Sequence, residues 1–489
     1  MTWWTNTGPA ELKREGSVLL WEYLKKRMLA HPGSTVCDGQ EAWSFPALAD
    51  DAEKRARILP AGKIGLDCAR ELHTAQGLLA CLAAGATAVP LSSRYGAEHC
   101  RKIVEGIGLT AFLTDRGPDG SLRLEYRGEP QPEREDLSDV ALIMCTSGTT
   151  GSPKGAMITD TGLLVNLRDI ERYFRIGEGD RLLIVRPLYH CAVLTGEFLI
   201  SLAAGADIVF YDGAFNPLRI GEQIGGRGIT ALCGTPTLFR HLCALAGRLS
   251  RPLGLRCAAV SGECMTPAVA QAMRKALPAA AIYNVYGLTE ASPRVCALPP
   301  ERFDEKPTSV GRPLASLEVR VADEAGAPVP AGQAGELLVR GPSLMKGYYG
   351  QPEQTARVMR DGWLHTGDIA AIDEEGLVAI HARRDNLIIR AGMNIYPQEI
   401  ENALQQDGLV REVLAYGVQQ SGGGQRIAVK AVLSDPAAGK ADFLAVCRRR
   451  LSPYQMPDMV ELTDRLQRNG SGKLIRPKTA WPYGREEGA

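Results

Sequence analysis

Short apolar runs alternate with longer amphipathic segments from about residue 17 to about residue 290 of the chain. An apolar run at Lys63 to Leu66 is followed by a helical pattern at Glu71 to Gly85 and by a second run at Ala88 to Leu91. Similar runs recur at Arg181 to Val185 and at Ile208 to Tyr211. Continuous apolar strands separated by helices are typical of parallel sheets that are buried on both faces. The pattern therefore predicts a large α/β domain built from β/α units.

Two changes of pattern divide the rest of the chain. Between about residues 310 and 381, short alternating runs broken by Gly, Pro and Asp predict a small β subdomain, with strands at Leu317 to Val321 and Glu336 to Arg340. After residues 384 to 386, a compact α+β pattern begins. Its helices are expected at Glu399 to Gln405 and Lys440 to Leu451, and its strands at Val413 to Val418 and Ile427 to Val432. We therefore divide the chain into residues 1–384 and 385–489.

Composition and charge narrow the range of partners. The 489 residues are 45% hydrophobic and 23% charged, as in ordinary globular enzymes. Lys plus Arg and Asp plus Glu both number 56, so the formal charge is zero, which argues against nucleic acid or an anionic membrane as the main partner. The 12 cysteines include no C-x-x-C pair, so we expect reduced thiols and a cytoplasmic location. The longest apolar stretch, Leu78 to Leu91, is too short to span a bilayer, and Met1 to Gly16 lacks the apolar region of a signal peptide.

A loop rich in glycine and hydroxyl residues follows the apolar run Val140 to Met144. Its sequence is Thr146-Ser147-Gly148-Thr149-Thr150-Gly151-Ser152-Pro153-Lys154-Gly155. Glycines let backbone N–H groups turn toward an anion, the hydroxyls add donors, and Lys154 adds a positive charge, so the loop is suited to phosphate. The P-loop pattern G-x-x-x-x-G-K-[ST] does not fit, and Pro153 stands where the P-loop helix would begin.

A second group of candidate residues lies at the end of a predicted strand. The sequence Tyr286-Gly287-Leu288-Thr289-Glu290 follows the apolar run Ala279 to Val285, and open α/β sheets bind ligands at such strand ends. The Tyr286 ring suits stacking on adenine, Thr289 can donate to phosphate, and Glu290 offers the oxygen ligand that Mg²⁺ prefers. Asn284 either contacts the adenine edge or is a buried amide satisfied by the backbone.

A carboxylate follows a glycine turn in the segment Asp361-Gly362-Trp363-Leu364-His365-Thr366-Gly367-Asp368. The two oxygens of Asp368 can accept hydrogen bonds from the two hydroxyls of a ribose. Arg383, 15 residues further on, is the expected partner of Asp368 and would reach a ribose oxygen or the α-phosphate as a planar cation.

Taken in order, these segments resemble the signature motifs of the adenylate-forming superfamily, which includes acyl- and aryl-CoA synthetases, adenylation domains of peptide synthetases, and luciferases. The resemblance covers nearly the whole chain. It implies ATP, Mg²⁺ and a small carboxylic acid as ligands, with coenzyme A or the phosphopantetheine of an acyl carrier protein as the thiol. It also implies that the small C-terminal domain is mobile.

The resemblance assigns roles to further residues. Lys473, in Asn469-Gly470-Ser471-Gly472-Lys473, matches the lysine that bridges the carboxylate and the α-phosphate during adenylation, although Gln467 stands where a proline is usual. Gly392 matches a hairpin that turns toward the incoming thiol. Asp385 matches the hinge between the domains, and Ala382 replaces the glycine that usually precedes the arginine.

Three more residues are assigned to the substrate pockets in the same way. Gly262 and Glu263 match residues that lie along the purine and the acyl pocket. His190 matches a residue that gates or lines the acyl pocket in many acyl-CoA synthetases, and we assign it no acid or base role.

The main interpretation is an acid–CoA ligase that forms an acyl adenylate, releases pyrophosphate and transfers the acyl group to coenzyme A. The alternative is a stand-alone enzyme that loads an aryl or acyl group onto a carrier protein. Relatives that activate amino acids usually have an aspartate near Tyr189, whereas this chain has His190 and Cys191, which favours an uncharged aryl, alicyclic or fatty acid. A third hypothesis is a nucleotide-binding module without chemistry. The joint presence of the candidate cations and carboxylates argues against it.

Overall fold

The computed structural model describes residues 19–91, 97–117, 119–129, 133–146, 153–390, 393–419, 425–468 and 474–477. Several sequence predictions lie outside the described residues: those for Met1 to Gly16, for Ser147, Gly148, Thr149, Thr150 and Gly151 of the phosphate loop, for Gly392 and for Lys473. The predicted fold class is confirmed, since a large mixed α/β domain precedes a smaller C-terminal α+β domain. The boundary after residue 384 stays a prediction.

The first part of the chain supplies six strands of a seven-stranded sheet, and β18 (Gly347–Tyr348) supplies the seventh. The strand order is β18-β8-β7-β4-β3-β5-β6, with β7, β4, β3 and β5 parallel. Its apolar strands are covered by helices, as the alternating pattern predicted. The elements are α1 (Leu19–Ala30), β1 (Thr35–Cys37), β2 (Ala42–Ser44), α2 (Phe45–Ala56), β3 (Lys63–Asp67), α3 (Glu71–Ala84), β4 (Thr87–Pro90), α4 (Ala97–Ile107), β5 (Ala111–Thr114), β6 (Arg123–Tyr126), β7 (Val140–Thr146) and β8 (Lys154–Thr159).

The middle of the chain completes a nine-stranded sheet in the order β15-β14-β13-β12-β11-β9-β10-β1-β2, whose six strands from β13 to β1 are parallel. The carboxyl ends of these parallel strands share one edge, where α/β sheets bind ligands. The elements are α5 (Asp160–Tyr173), β9 (Arg181–Ile184), α6 (Cys191–Val193), α7 (Ile200–Ala204), β10 (Asp207–Phe210), α8 (Pro217–Gly226), β11 (Ala231–Gly234), α9 (Pro236–Leu245), β12 (Cys257–Val260), α10 (Pro267–Ala276), β13 (Ala281–Gly287), β14 (Arg294–Leu298) and β15 (Arg312–Pro313).

The predicted β subdomain is a five-stranded antiparallel sheet in the order β16-β17-β20-β19, with β21 paired to β20. One strand of this region, β18, instead pairs with β8 of the seven-stranded sheet. The elements are β16 (Glu318–Ala322), β17 (Gly335–Arg340), β18 (Gly347–Tyr348), α11 (Pro352–Val358), β19 (Met359–Arg360), β20 (Trp363–Ile372) and β21 (Val378–Arg383).

The C-terminal domain has a hydrophobic core of its own, which includes Ile388, Ile400, Val429 and Phe443, each fully buried. Two helices pack with a hairpin and with a three-stranded sheet in the order β24-β25-β26. The elements are β22 (Ile388–Arg390), β23 (Met393–Ile395), α12 (Pro397–Gln405), β24 (Val410–Gln419), β25 (Gln425–Leu433), α13 (Lys440–Arg450) and β26 (Met459–Leu462).

Among the described residues, no helix combines the length and the hydrophobicity that crossing a membrane requires.

Candidate active site

A cleft of about 830 Å³ lies between the large domain, the β subdomain and the C-terminal domain. It brings together most of the described residues that the sequence singled out. Those that line it are Lys154, Gly262, Glu263, Tyr286, Gly287, Thr289, Glu290, Asp368, Arg383 and Asp385. The strand ends of the nine-stranded sheet form one wall, as the β/α pattern predicted.

Asp368 is held between two side chains from different strands. The Tyr286 hydroxyl donates to Asp368 Oδ2 at 2.5 Å, and Arg383 Nη1 lies 3.2 Å from Oδ1. Asp368 on β20 and Arg383 on β21 are directly opposite in the strand register, so the pairing expected from the sequence is present. The same Arg383 nitrogen donates to Thr366 O at 2.9 Å. These contacts fix a carboxylate at the cleft wall.

The same contacts influence the protonation states of Tyr286 and Arg383. Burial, together with the adjacent Asp368 carboxylate, raises the pKa of the Tyr286 hydroxyl well above its usual value. Burial alone would lower the pKa of the Arg383 guanidinium, but Asp368 raises it. Tyr286 therefore stays a hydrogen-bond donor and Arg383 stays charged. A carboxylate with two oxygens can accept further hydrogen bonds while it holds both partners.

Tyr348 links the two groups that were predicted to meet phosphate and metal. Its hydroxyl donates to Glu290 Oε1 at 2.7 Å, and Lys154 Nζ lies 5.1 Å from the centre of its ring. Lys154 Nζ is also 3.5 Å from Gln354 Oε1. An ammonium over an aromatic face is attracted by the ring. Tyr348 thus holds a cation and a carboxylate at one end of the cleft.

The phosphate loop connects two antiparallel strands. Thr146 ends β7 and is paired in register with Lys154, the first residue of β8. A P-loop instead joins a strand to a helix, so the sequence-based exclusion of a P-loop agrees with this connection. Of the seven residues between them, 147–152 lie outside the described part of the chain.

Two positions at the cleft wall favour glycine, one because a side chain would clash and one because of its backbone conformation. A Cβ on Gly287 would lie 2.1 Å from Pro293 O, so no side chain fits where β13 and β14 meet. Gly262 has φ of 89°, a left-handed conformation that glycine adopts without strain. Its neighbour Glu263 accepts from the hydroxyl of Thr237 at 2.7 Å and from the backbone N–H of Thr237 at 3.2 Å.

The hinge prediction falls on a single turn. Arg384–Asn386 forms one 3₁₀ turn between β21 and β22, and Asp385 is at its centre. Glu336 contacts both sides of this region, because its Oε1 accepts from the Gly367 N–H at 3.1 Å and its Oε2 lies 3.2 Å from Arg384 Nη1. Glu336 thereby ties the turn to the segment that carries Asp368.

The C-terminal domain closes the cleft with charged side chains. Arg476 Nη1 donates to Glu401 Oε1 at 2.5 Å, and Leu474 and Arg476, which flank or follow the position of Lys473, both line the cleft. Leu474 forms a bridge with Arg468, and Ile475 N donates to Gln467 O at 2.9 Å. No described residue of β22 or β23, the strands beside Gly392, lines the cleft.

Asn284 is buried, and its contact with the adenine edge stays a prediction. This side chain is 1% exposed and is not among the described residues that line the cleft. Its Nδ2 donates to Ser309 O at 2.8 Å and to Pro307 O at 3.2 Å. Both amide hydrogens are therefore used by the backbone, which is the alternative that the sequence left open.

His190 immediately precedes the short helix α6, and its ring centre is 4.2 Å from that of Tyr189. It is not among the described residues that line the cleft. Its place in an acyl pocket stays a prediction.

Sequence reasoning missed several cleft residues. Tyr348 could have been suspected from the flanking glycines of Gly347-Tyr348-Tyr349-Gly350, but its partners come from β8 and from the turn after β13. Glu336, Thr237, Arg240, Glu412 and Arg468 carry no local pattern that would distinguish them from surface residues. Only the packing of the domains brings them to the cleft.

Comparison with known proteins gives two matching family models. Residues 24–349 match the AMP-binding enzyme model, and residues 399–473 match the AMP-binding enzyme C-terminal domain. A feruloyl-CoA synthase of Amycolatopsis sp. is 32% identical, over 95% of this chain and 98% of its own length.

Two solved structures have a similar fold and sequence. ATP-bound MatB from Rhodopseudomonas palustris has a TM-score of 0.81 and 26% identity, over 94% of this chain and 97% of its own. The O-succinylbenzoate coenzyme A synthetase from Bacillus subtilis, in complex with ATP and a magnesium ion, has a TM-score of 0.79 and 26% identity, over 93% of this chain and 98% of its own.

Proposed function

Since the chain belongs to the AMP-binding enzyme family, we propose that its cleft activates a small carboxylic acid with ATP and passes the acyl group to the thiol of coenzyme A. The observation that carries the proposal is the Asp368 carboxylate, held by Tyr286 and Arg383 in the cleft that also contains Lys154, Thr289 and Glu290. A carboxylate suited to binding the ribose hydroxyls thus lies in the same cleft as groups suited to phosphate. Similarity to proteins named as CoA synthases supports coenzyme A as the acceptor.

The first step makes the acid a better acyl donor. An oxygen of the substrate carboxylate bonds to the α-phosphorus of ATP, the bond from that phosphorus to the bridging oxygen breaks, and pyrophosphate leaves. Phosphoryl transfer needs little covalent chemistry from the protein, because positioning and charge neutralisation supply most of the rate. The cations and hydroxyls of the cleft are suited to that task.

We propose the following nucleotide contacts for residues in and beside the cleft. Asp368 would accept from the ribose hydroxyls, and Arg383 would reach a ribose oxygen or the α-phosphate. The Tyr286 ring, with Gly262, Glu263 and Gly287 beside it, would face the adenine. Lys154, Thr289 and the loop from Thr146 to Gly151 would hold the phosphates.

Glu290 is the proposed Mg²⁺ ligand. Tyr348 binds its Oε1, and among the described residues Oε2 has no hydrogen-bond partner, so this oxygen fits a hard cation. Bound Mg²⁺ would neutralise charge on the phosphates. Glu290, positioned by the Tyr348 hydroxyl, would hold the ion.

The second step transfers the acyl group. The sulfur of the deprotonated thiol bonds to the acyl carbonyl carbon, and the bond from that carbon to the AMP oxygen breaks. We assign the approach of the thiol to the side of Gly392 and the domain reorientation to the turn at Asp385. Leu474 and Arg476 line the cleft here whereas β22 and β23 do not, which supports an arrangement suited to the first step, with Lys473 as the residue that assists it.

A panel of carboxylic acids tests the function. Each acid is incubated with ATP, Mg²⁺ and hydroxylamine, and pyrophosphate and hydroxamate are measured, followed by coenzyme A consumption for each acid that reacts. Lys473→Ala should abolish acid-dependent pyrophosphate exchange and still convert supplied acyl adenylate to thioester. Lys440→Ala, at an exposed lysine of the same domain, is the matched control. The proposal fails if no acid releases pyrophosphate.

A further inference from the structure

Glu412 on β24 is bound by one arginine from each domain. Arg240 Nη2, on α9 of the large domain, donates to Glu412 Oε1 at 2.6 Å. Arg468 Nη2, in the C-terminal domain, donates to Glu412 Oε2 at 3.1 Å. Arg240 Nη1 also donates to Arg411 O at 3.0 Å. We call Arg240, Glu412 and Arg468 the interdomain clasp.

The clasp continues to the nucleotide side of the cleft. Arg468 Nη1 lies 3.4 Å from the Thr237 hydroxyl oxygen, and that hydroxyl donates to Glu263 Oε2 at 2.7 Å. Thr237 is on α9, one turn before Arg240. A continuous set of polar contacts therefore runs from the C-terminal domain, through α9, to a residue beside the proposed adenine position.

Burial makes this charge set stronger than a surface ion pair. The side chains of Arg240, Glu412 and Arg468 are 27%, 17% and 23% exposed. Burial alone would raise the pKa of Glu412, but Arg240 and Arg468 hold it below its usual value, so the carboxylate is charged at neutral pH. Partly buried pairs are less screened by salt than exposed ones. Without the carboxylate, two guanidinium groups would face each other across the domain interface.

The position of Arg468 connects the clasp to catalysis. Arg468 bridges with Leu474, and Gln467 O accepts from the Ile475 N–H, so the chain before and after residues 469–473 is held together at its base. Both Arg468 and Leu474 line the cleft. A contact that fixes Arg468 to the large domain therefore fixes this base at the cleft.

We infer that the clasp selects the domain arrangement for the adenylation step, with Glu412 as a positioning residue that binds no substrate. This inference rests on the proposed two-step function. In the acyl-transfer step the C-terminal domain must leave this arrangement, so the clasp must break. A substitution that removes the clasp should therefore slow the adenylation step and not the acyl-transfer step. A contact that served only to keep the C-terminal domain folded would affect both steps equally.

The experiment compares the two half-reactions in Glu412→Gln. Acid-dependent pyrophosphate exchange is expected to fall roughly tenfold, the scale of one partly buried charge pair, while conversion of supplied acyl adenylate to thioester falls by less than about twofold. Glu461→Gln is the matched control, because Glu461 pairs with Lys430 at 3.1 Å entirely within the C-terminal domain. Equal losses in the two half-reactions of Glu412→Gln, or no loss in either, would overturn the inference.

A double-mutant cycle tests whether Arg240 and Glu412 act through their contact across the two domains. Arg240→Gln and Glu412→Gln are measured singly and together by pyrophosphate exchange. If the pair acts as a unit, the double variant loses little more than Glu412→Gln alone. Independent, additive losses would mean that the two residues do not act through their contact, and would contradict the clasp.

A measurement without substrate separates this inference from the proposed function. Hydrogen exchange followed by mass spectrometry reports on α9 and α12, which face the cleft from the two domains. Faster exchange in both helices of Glu412→Gln, with Glu461→Gln unchanged, supports the clasp even if no acid proves to be a substrate. Unchanged exchange in α9 and α12 of Glu412→Gln would reject the clasp, whether or not the wild type activates an acid.

Discussion

The hydroxyl of Tyr286 donates a hydrogen bond of 2.5 Å to Oδ2 of Asp368, although the two residues are 82 positions apart. Tyr286 is the penultimate residue of β13 in the large domain, and Asp368 belongs to the β subdomain. The contact therefore joins two sheets at the place where a ribose is proposed to bind. The Tyr286 hydroxyl thus holds Asp368, in addition to the contact proposed between the Tyr286 ring and adenine.

Tyr286→Phe is expected to raise the KM for ATP by about tenfold, because a hydrogen bond to a charged group contributes about 1.5–3 kcal/mol. The ring remains, so stacking is retained. Tyr23→Phe is the matched control, since Tyr23 donates a 2.5 Å hydrogen bond to Glu171 away from the cleft. Steady-state kinetics at varied ATP measure the effect. An unchanged KM for ATP would mean that this hydrogen bond does not orient the ribose contact.

Tyr348→Phe is expected to raise the Mg²⁺ concentration needed for half-maximal activity by about tenfold, the scale found when a side chain that orients a metal ligand is lost. The hydroxyl that donates to Glu290 is removed, whereas the ring beneath Lys154 is kept. Tyr349→Phe is a neighbouring control, because the hydroxyl of Tyr349 binds Glu133 instead. A magnesium titration of pyrophosphate release distinguishes the two variants. The same response in both would contradict the role of Glu290.

Arg383→Lys is expected to lower kcat/KM for ATP by about tenfold or more, because lysine lacks the planar group that could reach a ribose oxygen or the α-phosphate while Nη1 holds the protein acceptors. In the structure Arg383 contacts both Thr366 O and Asp368 Oδ1. Arg302→Lys is the control, since Arg302 spans Glu305 and Glu375 outside the cleft. Full activity of Arg383→Lys would show that charge alone suffices at this position.

Asp180→Asn is expected to destabilise the large domain by about 1–2 kcal/mol at neutral pH, as for a partly buried ion pair. Asp180 accepts from Arg256 Nε at 2.9 Å, from the Thr230 hydroxyl at 2.8 Å and from the Gly177 N–H at 3.0 Å. Burial alone would raise the pKa of Asp180, but these donors hold it below its usual value of 3.8. The stabilisation is therefore present above pH 3.8 and is lost as the pH falls through the lower pKa of the folded state.

Urea unfolding of the wild type and Asp180→Asn at several pH values checks this expectation. The difference in unfolding midpoint should be constant near neutral pH and should close in acid below 3.8. Asp119→Asn, which removes an exposed partner of Arg123, should leave the midpoint unchanged at every pH. A difference that grew in acid would mean that the carboxylate is not the stabilising form.

The sequence predicted the order of strands and helices well because burial on both faces leaves continuous apolar runs. The runs at Val140 to Met144 and Arg181 to Val185 became β7 and β9. Strand partners were not predictable in the same way. The two-residue strand β18 pairs with β8 across about 190 positions, and no local pattern records that pairing.

The site was predictable where chemistry is concentrated in short motifs. Asp368 and Arg383 were expected to meet, and their strands place them opposite each other. For Asn284 the sequence left two alternatives open, because an amide that satisfies buried carbonyls has the same sequence signal as one that meets a base. Glu412 and Tyr348 act through distant partners, so their importance depends on tertiary packing alone.

Arg383 ends β21, and only the turn Arg384–Asn386 and Leu387 separate it from the first strand of the C-terminal domain. Because this connection is short, a change in the orientation of the C-terminal domain must be taken up by backbone rotation at the turn itself. Because Arg383 is paired with Asp368 in the strand register, a rotation at this turn would begin one residue beyond the proposed ribose contact. The proposed change of domain arrangement would therefore start directly beside the bound nucleotide, so that nucleotide affinity and domain orientation would be coupled.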